Sequence, residues 1–158
     1  MTNQLIMIRA GDCDSREIKD PSLSKIGIFE IKRISKYLTQ FDLGEAIDIY
    51  FCNSKRSLES AQIIKNEIGD TGRNIRNFLC EEKIFTNYYM EADEYWLEEE
   101  IIKSTSDTMI VVGHIELIRW FPKTIGFKSN YCKNGEGIII LQDEIREIVF
   151  DDDKHLNK

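Results

Sequence analysis

At 158 residues the chain suits one domain around one core, and with 42% hydrophobic and 31% charged residues it reads as a water-soluble globular protein, neither disordered nor fibrous. A net charge of −7 argues against sequence-independent binding of a nucleic-acid backbone, which needs a basic face, but leaves room for a small anion held by a local group of arginines. No apolar run approaches the ~18 residues of a membrane span, and the N-terminus lacks a basic-then-apolar leader, so the expected compartment is the cytoplasm.

Cys13, Cys52, Cys80 and Cys132 form no C-x-x-C pair, and the chain has only two histidines. The expectation is therefore reduced thiols and no structural zinc site, and no motif calls for a cofactor.

In chain order, residues 4–9 are an apolar run ending in Arg9, predicted as a buried strand closed by Gly11 and Asp12. A polar loop with Pro21 follows. Ser24 opens a helix whose buried face is Gly27, Ile31, Ile34 and Leu38. Residues 47–51 form a second strand. Ser54 caps a second helix with a stripe of Leu58, Ala61, Ile64 and Ile68, stopped at Gly69. Residues 75–80 read as a third strand and the acidic stretch 91–103 as a helix. Residues 108–112 are the clearest strand of all, ended by Gly113 and His114. Residues 115–121 read as a short helix stopped by Pro122. Residues 138–141 and 145–150 pair as a hairpin turned near Gln142 and Asp143, and 151–158 is a charged, disordered tail.

Strands alternating with helices imply an α/β three-layer sandwich, with a mainly parallel central sheet and helices on both faces, as a single domain over 1–150. Ligands of such sheets bind beyond the carboxyl ends of the strands. Those ends carry Arg9, Ala10, Gly11 and Asp12; then Cys52, Asn53, Ser54 and Arg56; then Gly113 and His114. Two arginines and a histidine on one edge suit a phosphate clamp, since a guanidinium fork matches phosphate oxygens and helix N-termini add amides. Each has a plainer reading: Arg9 as cover for the sheet edge, Arg56 as a solvated helix residue, His114 as a satisfied ring between strand and helix. Together on one edge they favour the anion site.

These residues carry a resemblance. LIMIRAGD (5–12) is similar to the strand and Arg-His-Gly turn that open the histidine-phosphatase (phosphoglycerate-mutase-like) superfamily. L-S-K-I-G (23–27) resembles that family's L-T-x-x-G helix entry. IDIYFCNSKRSLESAQII (47–64) resembles its strand followed by S-S-P-x-x-R-x-x-Q-T-A. MIVVGHIELI (109–118) resembles the strand delivering its second histidine, and GIIIL (137–141) its closing strand. The motifs keep their order from about Leu5 to Leu141. The short length resembles the small bacterial phosphohistidine phosphatases.

The resemblance implies hydrolysis of a phosphomonoester or phosphoramidate through a phosphohistidine, without metal. It assigns Arg9 and Arg56 as clamps, His114 as a donor to the phosphoryl group, and Gly11 and Ile115 as further phosphate contacts. It puts Ala10 in the nucleophile's place. Alanine has no lone pair, so the chain as it stands should bind without turnover. The leading expectation is an engineered trap; the alternative is a natural pseudo-phosphatase that binds a phosphorylated ligand. The partner would be a phosphorylated small molecule or protein, and the oligomeric state is not readable from sequence. Arg16 is a candidate third cation, in a stretch (Asp14, Ser15, Arg16) where the family often has asparagine. Glu82, Glu91 and Asp93 lie where a general acid would, in an otherwise solvated acidic region. Tyr88, Tyr89, Tyr95, Trp96 and Trp120 read as core or as a wall facing the ligand.

Three rivals belong to other classes. A cysteine phosphatase would use Cys52, but its loop needs C-x-x-x-x-x-R and Arg56 comes only four residues later. An aspartate phosphatase would use Asp12 and Asp14 with Asp151 and Asp152 around magnesium, leaving Arg9 and His114 unexplained. A phosphate-binding module without chemistry shares every contact and differs only at position 10.

Overall fold

The computed structural model describes residues 3–14, 19–80, 91–124, 126, 128, 132–141 and 144–150. The elements run β1 (Gln4–Arg9), α1 (Lys25–Thr39), β2 (Ala46–Phe51), α2 (Lys55–Gly69), β3 (Asn74–Cys80), α3 (Glu91–Lys103), β4 (Thr108–Gly113), α4 (Ile115–Thr124), β5 (Gly137–Ile140) and β6 (Ile145–Ile148). The strands form one sheet in the order β3-β2-β4-β1-β5-β6. The first four are parallel; β5 is antiparallel to β1, and β6 to β5.

Alternation along the central strands makes two cores. Ile6, Ile8, Ile47, Ile49, Phe51, Ile110 and Val112 face α1 and α2, meeting Ile31, Ile34, Leu38, Ala61, Ile64 and Ile68. Leu5, Met7, Tyr50, Met109 and Val111 face the other way, onto Leu97 of α3 and Leu117, Ile118 and Phe121 of α4. Burying one such side chain contributes roughly 1.5–3 kcal/mol, so strands apolar on both faces are fixed in the middle of the sheet. No described helix is long and apolar enough to cross a membrane.

Both predicted helix starts are capped: Ser24 Oγ accepts from Gly27 N at 3.0 Å and Ser54 Oγ from Ser57 N at 3.3 Å. Three local expectations need correction. Leu58 is 43% exposed, and Ser57 and Ser60 take the buried face at that end of α2, where Ser57 Oγ meets the sulfur of Cys52 and Ser60 Oγ the amide of Gly11. Gly69 is the last helical residue, and the reversal in left-handed conformation falls on Gly72, at φ +84°. Pro122 lies inside α4, which runs on to Thr124; a proline near the end forfeits one backbone bond without breaking the turn. The hairpin forms as expected from Gly137 to Ile148, while its tip at Gln142 and Asp143, and the 151–158 tail, lie outside the described residues.

One charged group sits in the α3/α4 side of the sheet. Asp48 of β2 is buried and accepts from Arg76 (3.0 and 3.3 Å), Asn77 Nδ2 (2.9 Å) and Ser104 Oγ (3.3 Å). Burial pushes its carboxyl up, but the bonds from Arg76 and Asn77 outweigh that and hold it below the usual carboxylate value.

Candidate functional site

The carboxyl ends of β1, β2 and β4 are adjacent in the sheet, so the residues that follow them gather on one edge. Arg9 pairs with Gly113 across the β1–β4 ladder, and Ala10 N donates to Gly113 O at 3.0 Å. Ala10 and His114 therefore leave the sheet side by side. Cys52 N donates to Val112 O at 3.1 Å, which brings the start of α2 to the same edge.

Two glycines let the turn after β1 sit against α1. A Cβ on Gly27 would lie 2.0 Å from Asp12 O, and one on Gly11 would lie 2.7 Å from Gly27 O. Backbone meets backbone here, with no room for a side chain. Asp12 staples the turn, its Oδ2 accepting from Ser24 Oγ at 2.7 Å while its carbonyl accepts from Ser24 N at 3.0 Å. Gly11 N donates to Ser60 Oγ at 3.2 Å, so Ser60 takes the amide that the resemblance assigned to phosphate.

Arg56, in the first turn of α2, reaches across the edge, its Nη2 lying 3.2 Å from His114 Nδ1. A guanidinium only donates, so Nδ1 must accept, and the proton of the neutral imidazole sits on Nε2. Burial lowers the His114 pKa first, and the charges of Arg56 and then Arg9 push it further down, with Glu116 opposing. His114 is thus a neutral ring at pH 7 with Nε2 as donor. Arg56 Nη1 also approaches Cys13 Sγ at 3.6 Å, a contact that nothing in the sequence signalled.

Arg9 is anchored from the far side of β1. Its Nη1 donates to Cys132 O at 2.7 Å, its N to Glu136 O at 2.9 Å, and its carbonyl accepts from Gly135 N at 3.0 Å. Buried Glu136 ties that loop together: one carboxylate oxygen accepts from Lys133 N at 3.0 Å and the other from Phe150 N at 3.1 Å. Sequence reasoning missed this loop because the contact spans more than 120 residues of chain.

Ala10 is 1% exposed and belongs to the apolar cluster under α1 and α2. Ile115 is the first residue of α4, so its amide is among those a helix leaves without an intrahelical acceptor. Cys52 is buried, with Ser57 Oγ 2.8 Å from its sulfur; burial pushes its thiol pKa up against the pull of Ser57 and Ser54, the reverse of a reactive thiolate. Asp12 has a carboxylate oxygen committed to Ser24, and Asp151 and Asp152 lie outside the described residues, as do Ser15, Arg16, Glu82, Tyr88 and Tyr89 and the side chains of Glu91, Asp93, Tyr95, Trp96 and Trp120. Among the described residues, no three of His, Cys, Asp and Glu gather as a metal site would require.

No family model and no curated protein matches the sequence. Solved structures do match in fold. The protein histidine phosphatase SixA complexed with tungstate is 14% identical, with 91% of this chain and 93% of that one covered at a TM-score of 0.71. A mycobacterial glucosyl-3-phosphoglycerate phosphatase is 13% identical, with 94% and 98% covered at 0.67. The SixA structure from Agrobacterium tumefaciens is 14% identical, with 96% and 98% covered at 0.64. The chain has the histidine-phosphatase (phosphoglycerate-mutase-like) fold over nearly its whole length; at these identities the likeness is one of fold.

Proposed function

We propose that this chain is a histidine-phosphatase domain arrested at the binding step, holding the phosphoryl group of a phosphorylated small molecule or protein at the edge formed by β1, β2 and β4. Arg56 and Arg9 supply charge to the phosphoryl oxygens, His114 Nε2 donates a hydrogen bond, and the amide of Ile115 adds a helix N-terminus. The observation that carries this reading is the Arg56–His114 contact. It joins groups 58 residues apart and fixes the tautomer that a phosphoryl oxygen needs. At position 10, where a nucleophile would attack phosphorus from the next strand end, a methyl group offers no electron pair, and the sequence of steps stops before bond formation.

Calorimetry with phosphate and with tungstate tests the reading. Binding should be measurable in the chain as it stands and weaken at least about tenfold in Arg56→Ala, the loss of one charge-assisted contact. Equal affinity in the variant removes Arg56 from the site.

A further inference from the structure

A cavity of about 480 Å³ opens between the outer face of α1 and the loop ahead of β5, lined by Arg9, Ile26, Phe29, Glu30, Arg33, Lys133 and Asn134. Its volume is that of a small-ligand pocket. Its charge is opposite to that of the molecule: three cations against one carboxylate, in a chain of net charge −7. A positive hollow in an acidic protein concentrates anions.

Apolar surface stands beside the charge. Ile26 is 66% exposed and Phe29 63%, one turn apart on the same face of α1. Large apolar side chains grouped at the mouth of a charged hollow mark a place where something apolar is laid down. Arg33 is held in place by rings: its guanidinium carbon lies 4.3 Å from the centroid of Phe150 and 5.6 Å from that of Phe29. A cation fixed between aromatic rings is a rigid partner for a planar anion. The loop side is equally fixed, since Lys133 N is bonded to the buried Glu136 carboxylate.

Among the described lining residues the balance is two positive charges, one of them from Arg9, which the strand-edge site shares.

We propose that this cavity is a second anion site, adjoining the strand-edge site at Arg9, which binds a carboxylate carried on an apolar or aromatic body. The carboxylate lies against Arg33 and Lys133, and the apolar body against Ile26 and Phe29. The site does not depend on phosphate recognition at the strand edge. The same chemistry is offered by a free acylated amino acid and by the C-terminal residue of a peptide.

The test is a titration of the ¹⁵N-labelled full chain, followed by amide shifts, with N-acetylphenylalanine, its neutral amide, acetate, and a hexapeptide ending in phenylalanine. N-acetylphenylalanine should shift amides in 26–33 and 132–136 and bind at least about tenfold more tightly than the neutral amide or acetate, because each lacks one half of the recognised chemistry. A hexapeptide that binds more tightly still assigns the site to a peptide end; equal affinity assigns it to a free small acid. Lys133→Gln and Arg33→Gln should each weaken binding, and Lys133, on a surface loop, is the variant that leaves the core untouched. Tungstate binding, read separately, should persist in Lys133→Gln, so failure here and failure at the strand edge are distinguishable. Equal affinity for the acid and its amide, or shifts confined to residues outside this cavity, would overturn the proposal.

Discussion

The ends of β1 and β4 lie side by side, with Arg9 opposite Gly113, and they are finished in opposite ways. Beyond β4 stands an ionisable ring, half-buried and held by a guanidinium from a third element. Beyond β1 stands a methyl group sealed into the apolar cluster beneath α1 and α2. The positions are equivalent in the sheet, so the contrast lies in the side chains alone. On the proposed function, it teaches that the groups that would hold an oxyanion and the group that would react with it are separable: the first can stand without the second.

The strongest way to break that contrast is to give the β1 end a nucleophile. Ala10→His should raise release of p-nitrophenolate from p-nitrophenyl phosphate at least about a thousandfold over the Ala10 chain, with chelator present. Because the Cβ is enclosed, the variant should also unfold at lower urea, by about 1–3 kcal/mol. No turnover in a folded variant would count against the arrested-enzyme reading.

Next in size is the backing of the β1 turn. In Gly27→Ala the new methyl meets Asp12 O at 2.0 Å, and the urea midpoint should fall by the equivalent of about 3 kcal/mol. A small loss would mean that the turn gives way and is less firmly placed than the β4 end.

A smaller effect comes from Asp48, away from both strand ends. Asp48→Asn should cost about 1–2 kcal/mol at neutral pH, because the amide keeps one acceptor oxygen where the donors Arg76, Asn77 and Ser104 meet two in the carboxylate. The folded pKa is depressed, so this stabilisation is present above the unfolded value of 3.8 and disappears as pH falls through the lower folded value. Urea melts of chain and variant should therefore converge in acid while sulfate binding is unchanged.

The smallest effect sharpens the β4 end. The His114 pKa is lowered from 6.5 in the free protein, and a bound anion favours the charged ring, so binding takes up a proton as pH falls. Sulfate, whose own charge is constant in this range, should bind about threefold more tightly near pH 6 than near pH 8. The slope should vanish in His114→Gln. In the absence of ligand the sign is opposite for folding: the unfolded ring protonates first, so stability declines below about pH 6.5.

What the sequence made legible were the parts governed by local pattern. The doubly apolar strands 108–112 and 4–9 sit in the middle of the sheet because both of their faces must be covered. Ser24 and Ser54 mark helix starts because their hydroxyls satisfy amides three residues on. Arg9, Arg56 and His114 were placed on one edge because parallel strands present their ends together. Less legible was whatever depends on partners far along the chain. Gly27 reads as a small residue on an apolar face and as the glycine of the L-S-K-I-G helix entry, yet its physical reason is the backbone of Asp12. Ser60 reads as neutral in α2, yet it takes the Gly11 amide. Leu58 continues a helical stripe, but Ser57 and Ser60 take the places against the residues that follow β2 and β1, so the period carries on and the burial does not.

Glu136 joins the segment after β6 to the end of β1. One of its oxygens holds Phe150 N and the other holds Lys133 N, while the same loop grips Arg9 through Cys132 O. Phe150 also stacks on Arg33 of the cavity beside α1. Truncation ahead of Phe150 would therefore act as a remote lesion, slackening the guanidinium of Arg9, 141 residues earlier in the sequence.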